Sequence, residues 1–507
     1  MSRRSHLALL ATLASASVGC TQANPRPATA KVSGVVAAAY HPEEAPRIGA
    51  PMAATAGPAA TVPAGAQPVD TFIRRALAEN RTVQAAYHNV KALEYRIPQV
   101  TTLDDPVASN AIFPIPAVGP QYSLMGYNPY NLTLAQQFPW FGTLRLRGEV
   151  AGKDVQVALA ELAAAQLDAV AAVKRAYYDL YAAQRAGEYL VENRKLLLDF
   201  RTVARRRLET GGSQQDVLRA EVLVSELDRE LAGNRQGVAA ARAALARQAH
   251  LGPEADLQTL PELTPEAVPA EIDRLYALAV AALPELRGRL AAVARDEAAV
   301  EMARKRFYPS YTLGLTYMDM EKTNAQTPKT AGGVPNVGLF VAFNLPVHRG
   351  KYRAGVCEAK ERAIADAKLY EAQLDETRSE IADLMAQARA QEGVLGLLRD
   401  QILPKIRQTL ENAEGDYSKS NVDFAALISA SREVLQVRLQ IAQVEAELGK
   451  ALASLERAVG GRINERPPAP TPEAAPPETS PIPPPATSGP FRPAPPAEDR
   501  AAPPEPR

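Results

Sequence analysis

Apolar residues recur along this chain at two different spacings, and the spacing changes within residues 131–148. From 131 to 138, apolar and polar residues alternate one by one, as they do in a strand with one buried face. Residues 139–142 read PWFG and interrupt this alternation. Roughly sixty residues rich in Ala, Leu, Gln, Glu and Arg follow. The pattern predicts a strand, an aromatic break and a very long helix in direct succession.

The long helix carries the pattern of a coiled-coil seam. Apolar residues return at alternating steps of four and three, which keeps them on one helix face. The predicted seam positions are Val155, Leu159, Leu162, Gln166, Ala169, Val173, Ala176, Leu180, Ala183, Gly187, Leu190, Arg194 and Leu197. A helix over about 149–209 would be ~90 Å long. Segments 214–250, 353–413 and 421–459 have a similar composition, so we expect two antiparallel hairpins of long helices.

The chain repeats this organisation once. Repeat 1 is predicted over 69–260 and repeat 2 over 261–463, since Gly142 lies 208 positions before Gly350 and the elements around both follow the same order. Each repeat begins with a segment predicted to form one helix, opened by an Asp and ended by a proline. Strands, a long helix, a turn and a second long helix come next. This period indicates duplication of a whole unit.

Each repeat is predicted to contain two strands. They lie at about 119–138 in repeat 1, joined by a tight turn through Asn128 and Pro129, and at about 310–320 and 336–345 in repeat 2. Apolar residues on one face and small or polar residues on the other are typical of membrane β-barrel strands. An ordinary half-buried hairpin shows the same alternation. Because four strands cannot close a membrane barrel, closure would require several chains.

The two ends of the chain differ from its centre. Residues 1–19 have the basic start and apolar run of an export signal, and the Ser-Val-Gly-Cys sequence ending at Cys20 predicts lipidation of that cysteine. An ordinary signal cleaved elsewhere is the alternative. Residues 20–68 are predicted to be an Ala- and Pro-rich tether. Residues 464–507 should form a disordered tail, because 17 prolines fall among the last 41 positions; whether this tail binds anything is left open.

The charge and the reactive side chains exclude several classes of protein. The balance of 57 basic and 57 acidic residues gives no electrostatic footprint for nucleic acid. The five histidines are scattered, and no spacing places two of them on one helix face. We therefore predict neither an enzyme, nor a metal site, nor a cofactor.

From about 69 to 460 the chain resembles the TolC-like outer-membrane factor family. The segments 137–151 and 344–359 are similar to that family's strand-to-helix junctions, and 211–222 and 420–430 to its helix-hairpin tips. The resemblance implies an α+β membrane protein with two tandem repeats. Three protomers would each contribute four strands to one 12-stranded β-barrel, which continues into a coiled-coil α-helical tunnel across the periplasm.

Three local stretches are most similar to family members that serve heavy-metal exporters of the resistance-nodulation-division class: Phe138-Pro139-Trp140, the tip after Gly211, and 455–461. The resemblance then implies a passive efflux channel, lipid-anchored in the outer membrane of a Gram-negative-type bacterium and extending into the periplasm. An inner-membrane pump and a periplasmic adaptor would hand it its substrate. Drug or solvent efflux, type I secretion, and a periplasmic coiled-coil scaffold lipoprotein without a pore are the alternatives.

The hairpin tips hold the predicted gate residues. In the resembled family, acidic residues near the tips line the periplasmic entrance, and the corresponding candidates here are Asp216 and Asp423, with Arg219 and Lys419 as neighbours. A ring of carboxylates at a constriction favours cations. Helix capping is the alternative function for each aspartate.

The strand-to-helix junctions are the second predicted site. Pro139, Trp140 and Phe141 should end a strand at the bilayer surface, since Pro cannot continue a central strand and Trp prefers the interface. Gly142 and, in repeat 2, Gly350 are expected to permit the turn into the helix. Pro346 is the counterpart of Pro139. The aromatic residues have no counterpart in repeat 2, so we expect Pro and Gly to carry the shared geometry.

Overall fold

A computed structural model describes residues 65–112, 127–209, 211–263, 267–321, 336–418 and 423–463. The predicted signal, Cys20, most of the tether, Lys419 and the Pro-rich tail lie outside the described residues.

The described elements follow one another in the same order twice. The first series comprises β1 (Ala66–Gln67), α1 (Val69–Glu79), α2 (Arg81–Thr101), β2 (Val107–Ile112), β3 (Tyr127–Phe138), α3 (Thr143–Glu209) and α4 (Gln214–Gln248). The second comprises β4 (Gln258–Thr259), α5 (Ile272–Ala282), α6 (Pro284–Lys305), β5 (Tyr311–Glu321), β6 (Asn336–Phe343), α7 (Arg349–Gly396), a π-helical turn (Leu397–Ile402), α8 (Leu403–Ser418) and α9 (Phe424–Val459).

The opening segment of each series is two helices rather than the single predicted helix. The first break is at Asn80, whose side chain caps α2 by accepting hydrogen bonds from the backbone N–H groups of Thr82 and Val83. The second is at Leu283, where Pro284 occupies the first position of α6. Pro98, expected to end a helix, lies inside α2. The helix continues for three residues beyond it before ending at Thr101.

The predicted position of the strands in the first repeat is wrong. Within the first series, the strand that pairs with β3 is β2, at Val107–Ile112. Residues 119–126, where the first predicted strand begins, lie outside the described residues. Asn128 and Pro129, expected to form a tight turn, lie within β3. The sequence VASNAI of β2 has weak alternation and carries Ser and Asn, which explains why the pattern did not single it out.

Most of the predicted seam along α3 is buried. The buried seam positions are Val155, Leu159, Leu162, Ala169, Val173, Ala176, Leu180, Leu190 and Leu197. One 18-residue window of α3 is long and apolar enough to cross a membrane, but 56% of it is buried within this chain. The core helix of a water-soluble protein meets the same criterion, so the window assigns no membrane span.

Two similar cores are built at the same place in each series. In the first, Phe72, Tyr177 and Leu245 bring together α1, α3 and α4. In the second, Leu275 and Ile381 belong to a cluster that joins α5, α7 and α9. Each short first helix is therefore fixed against its own long hairpin.

One antiparallel sheet combines strands from both series in the order β2-β3-β5-β6. The central pair is β3 and β5, with Phe138 opposite Tyr311 and Leu134 opposite Leu315. The two outer strands, β2 and β6, each have one partner strand among the described residues. Among the residues that the structure describes, the sheet therefore has two open edges.

Candidate functional site

One face of the four-stranded sheet is mostly apolar, with Asn110 and Gln136 as its polar members. Residues opposite one another share a face, so the register defines rows that cross the strands. The rows are Asn110–Leu132–Tyr317–Val337, Ala108–Leu134–Leu315–Leu339, Gln136–Leu313–Val341 and Phe138–Tyr311–Phe343. Leu339 is 87% exposed and Leu134 51%. A contiguous exposed apolar surface of this kind marks a site of contact with a membrane or with another protein.

The opposite face is small and polar. Its rows include Ser109–Thr133–Thr316–Gly338 and Gln137–Thr312–Ala342, and the Thr133 and Thr316 hydroxyls lie 3.4 Å apart. Gly314 leaves space for the ring of Phe340, which would lie 2.1 Å from an added Cβ. The alternation predicted for β3, β5 and β6 is thus present in the sheet, with apolar and polar residues on opposite faces.

An aromatic cluster ends the apolar face on its helix side. Phe138 stacks on Tyr311 with ring centroids 5.3 Å apart, and Trp140 stacks on Tyr308 at 5.1 Å. Phe141 contacts both Trp140 and Tyr311. The second series does supply aromatic partners for the first, although its own junction lacks a Trp. Sequence comparison of the two junctions alone missed this, because Tyr308 comes just before β5 and Tyr311 is its first residue, so neither lies at a strand-to-helix junction.

Gly142 lies at the turn that leads into α3. Its φ is +81°, a conformation that residues with a Cβ rarely adopt. Its carbonyl oxygen then accepts the hydrogen bond from the backbone N–H of Leu146, which starts the helix. A Cβ at this position would lie 3.9 Å from the Nζ atom of Lys305.

The prediction for Gly350 is wrong. Gly350 lies inside the first turn of α7 and is not among the described glycines with positive φ. The turn in this junction is made around Pro346, where the N–H of Val347 donates to the carbonyl of Leu345 and that of Arg349 to the carbonyl of Val347. The two junctions therefore differ in how the chain turns: Gly142 has a positive φ at the first junction, and Gly350 does not take that role at the second.

The tip of the first hairpin is a tight helix-to-helix connection. Gly211 has a φ of +96°, and the N–H of Gly212 donates to the carbonyl of Arg207 at 2.8 Å, which closes the end of α3 as a Schellman motif. The Ser213 hydroxyl caps α4 by accepting a hydrogen bond from the N–H of Gln215. The cap of this helix is therefore Ser213, while Asp216 lies in its first turn.

Tyr417 joins the two hairpin tips within one chain. It lies at the end of α8, buried against Phe424 of α9 with ring centroids 5.5 Å apart. The Arg207 guanidinium at the end of α3 lies over its ring, 4.3 Å from the centroid. Burial raises the pKa of Tyr417, and the nearby Asp216 carboxylate raises it further, while Arg207 lowers it. The sequence analysis missed Tyr417, because only the fold brings it to Asp216 and Arg207.

The other gate candidates are Asp423, Arg219 and Lys419. Asp423 occupies the N-cap position of α9, but its exposed side chain makes no capping hydrogen bond, so the capping alternative is wrong for this residue. Arg219 is exposed on α4. Lys419 lies outside the described residues. Of the three candidates that the structure describes, Asp216 is the one whose carboxylate influences the second tip, where it raises the pKa of Tyr417.

Within the described part of the chain, no three His, Cys, Asp or Glu side chains lie close enough together to hold a metal ion. Cys357 is exposed on α7 and has no disulfide partner among these residues.

Residues 275–461 match the model of the outer membrane efflux protein family. A search of curated proteins finds no match to this chain. The outer-membrane channel OprN is 23% identical, with a TM-score of 0.63 over 78% of this chain and 90% of its own. VceC of Vibrio cholerae, an outer membrane protein, and CusC, described with transmembrane channel formation, are each 18% identical with a TM-score of 0.63 over 78% of this chain and 96% and 92% of theirs. At these identities the structural likeness establishes the fold.

Proposed function

We propose that this chain belongs to the outer membrane efflux protein family, whose model matches residues 275–461, and is the outer-membrane channel of a tripartite efflux system. The observation that carries the proposal is the exposed apolar face of the sheet, bounded by aromatic rings and followed directly by two long helical hairpins. That arrangement suits a chain that passes from lipid into an aqueous compartment. Its role is that of a passive conduit, not of an enzyme.

The open edges of the sheet favour a homotrimer. Backbone groups at a strand edge must be paired within lipid, so β2 of one protomer would pair with β6 of the next. Three protomers close a 12-stranded barrel whose apolar face meets lipid and whose polar face lines the lumen. The hairpins would continue as a coiled-coil tunnel into the periplasm. Lipidation at Cys20 would add an anchor to the same membrane.

The hairpin tips are the proposed periplasmic gate. Asp216, Arg207 and Tyr417 connect the first tip to the second and would hold the entrance closed until a periplasmic adaptor and an inner-membrane pump engage. Asp216 and Asp423, repeated in three protomers, would form carboxylate rings that favour cations. Arg219 and Lys419 are proposed as neighbouring contacts for an adaptor.

Conductance across a planar bilayer tests the channel and its gate together. The purified wild-type protein should show unitary currents of low conductance. Asp216→Ala should raise that conductance severalfold, because it removes the carboxylate of the first tip that acts on Tyr417 of the second tip.

Glu221→Ala is the matched control for this measurement. It removes the 2.7 Å ion pair with Arg205, which lies at the same end of the molecule but joins α3 to α4 of one hairpin. We expect its conductance to equal that of the wild type. A periplasmic scaffold would give no unitary current with any of the three proteins, and an equal rise in both variants would reject the gate.

Heavy-metal cations are the proposed cargo, on the strength of the sequence stretches at the junction, the first tip and residues 455–461. Deleting the gene should lower the tolerance of cells to heavy-metal salts by severalfold and leave their tolerance of organic solvents and drugs unchanged. Growth inhibition curves measure both. The reverse pattern would assign the channel to drug or solvent efflux, and secretion loss would assign it to type I secretion.

A further inference from the structure

Cationic side chains gather where the sheet gives way to the long helices. We call this group the basic collar; its members are Arg145, Arg147, Arg304, Lys305, Arg306, Arg349, Lys351 and Arg353. The acidic residues of the same region are Asp104, Asp105, Glu149 and Glu301. All collar members lie within about three helical turns of the row Phe138–Tyr311–Phe343 that ends the sheet.

Few collar members are neutralised within the chain. Arg145 pairs with Glu149 at 3.1 Å, and Arg304 with Glu301 at 2.6 Å. The remaining six make no ion pair with the residues that the structure describes. Arg306, Arg349, Lys351 and Arg353 are exposed. The collar therefore presents surplus positive charge to its surroundings.

This charge is unfavourable for the helices themselves. The amino-terminal end of a helix carries partial positive charge and favours acidic residues. The helices α1, α4, α5 and α6 follow that preference with Asp70, Asp216, Asp273 and Glu285 in their first turns. By contrast, α3 and α7 have no acid in the first turn, and their first two turns hold five collar cations. An anionic surface outside the chain would offset this repulsion.

The basic collar lies next to the aromatic cluster. The Nζ atom of Lys305 lies 5.8 Å from the centroid of the Tyr308 ring, which stacks on Trp140. Tyr and Trp rings prefer the depth of lipid headgroups, and Lys and Arg next to a membrane bind anionic lipids. The basic collar is thus continuous with the apolar face. Along the direction from the sheet to the long helices, the apolar face comes first, the aromatic cluster second and the basic collar third.

We propose that the basic collar binds the phosphate groups of anionic phospholipids in the leaflet on the helix side of the sheet. The inference rests on the proposed function, because it takes the apolar face to lie in lipid. Charge complementarity and continuity with that face favour a bilayer over an acidic protein partner. The consequence is a shell of anionic lipid around the channel at this depth.

Trp140 provides a direct test, since it is the chain's sole tryptophan and lies beside the collar. The full chain is reconstituted in bilayers of phosphatidylcholine and phosphatidylglycerol, one of which is brominated in each sample. Quenching of Trp140 fluorescence then gives the relative binding constant of the two lipids. We expect the wild type to favour phosphatidylglycerol by roughly fivefold and to lose this preference at high salt.

The variant Arg349→Gln/Lys351→Gln/Arg353→Gln should bring the relative binding constant close to one. The control Lys195→Gln/Lys405→Gln/Arg407→Gln removes equal charge from exposed helix positions remote from the collar and should keep the wild-type preference. If the collar variant does not assemble, the salt dependence of the wild type decides.

The outcomes separate this proposal from the proposed function. Equal quenching of the wild type by both brominated lipids rejects the collar as a lipid site but keeps Trp140 in the bilayer. Quenching by neither lipid rejects the membrane placement of the sheet as well. A preference that both triple variants lose alike would show a response to net charge rather than to the collar.

Discussion

Gly460→Ala is expected to destabilise the protein by about 2–5 kcal/mol. Gly460 ends the last long helix with a φ of +88°, and a Cβ at this position would meet the backbone of Leu283 and Ala282 at 2.8 and 2.9 Å. Backbone atoms cannot move aside as a flexible side chain can. The substitution therefore combines left-handed backbone strain with a clash at the break between α5 and α6. Equilibrium unfolding of the purified protein in guanidinium measures the loss.

Gly461→Ala is the control, because it changes the adjacent glycine. A Cβ on Gly461 meets no atom within 4 Å, and its φ is not positive. Its backbone N–H donates to the carbonyl of Glu456 at 3.0 Å, and alanine keeps that donor. We expect a change within about 0.5 kcal/mol. Equal losses in both variants would contradict the account of Gly460.

Periodic features of this fold could be predicted from sequence. The seam on α3 followed from apolar residues at steps of four and three, and Leu159 and Leu180 are buried as that pattern requires. The faces of β5 and β6 followed from strict alternation, so that Leu315 and Leu339 share the apolar side. Such patterns succeed because burial of one face imposes the period of the element on the sequence.

Features without a period could not be predicted in this way. The six residues of β2 pair with β3 although their own alternation is weak, because a strand at an open edge is selected by backbone hydrogen bonding as well as by side-chain burial. Gly350 was misplaced because a glycine at a matching position need not have a matching φ.

Contacts between segments that are distant in sequence could not be predicted either. Tyr417 meets Arg207 across 210 positions of sequence. Along α9, Arg432 pairs with Glu226 and Lys450 with Asp179, and both join the second repeat to the first. Charged residues on a helix face indicate solvent or partner contact alike. Only the packing of α9 on α3 and α4 decides which carboxylate each cation reaches.

The buried pair of Lys174 and Glu456 should give the second large effect. The ammonium of Lys174 on α3 donates to the Glu456 carboxylate on α9, with side-chain exposures of 10% and 4%. Glu456→Ala removes that carboxylate and leaves the Lys174 charge in a site of low dielectric. We expect a loss of about 3–5 kcal/mol in the free energy of unfolding.

Two further variants determine whether burial of the charge is the cause. Lys174→Met/Glu456→Leu should recover most of the loss, because apolar side chains of similar volume need no counter-charge. Asp179→Ala breaks the 2.9 Å pair with Lys450 between the same two helices, where the Asp side chain is 53% exposed, and should cost at most about 1 kcal/mol. If the double variant is no more stable than Glu456→Ala, the loss comes from packing of the Glu456 side chain instead. If the double variant does recover the stability, the Lys174–Glu456 ion pair is dispensable for stability at this contact between the two repeats.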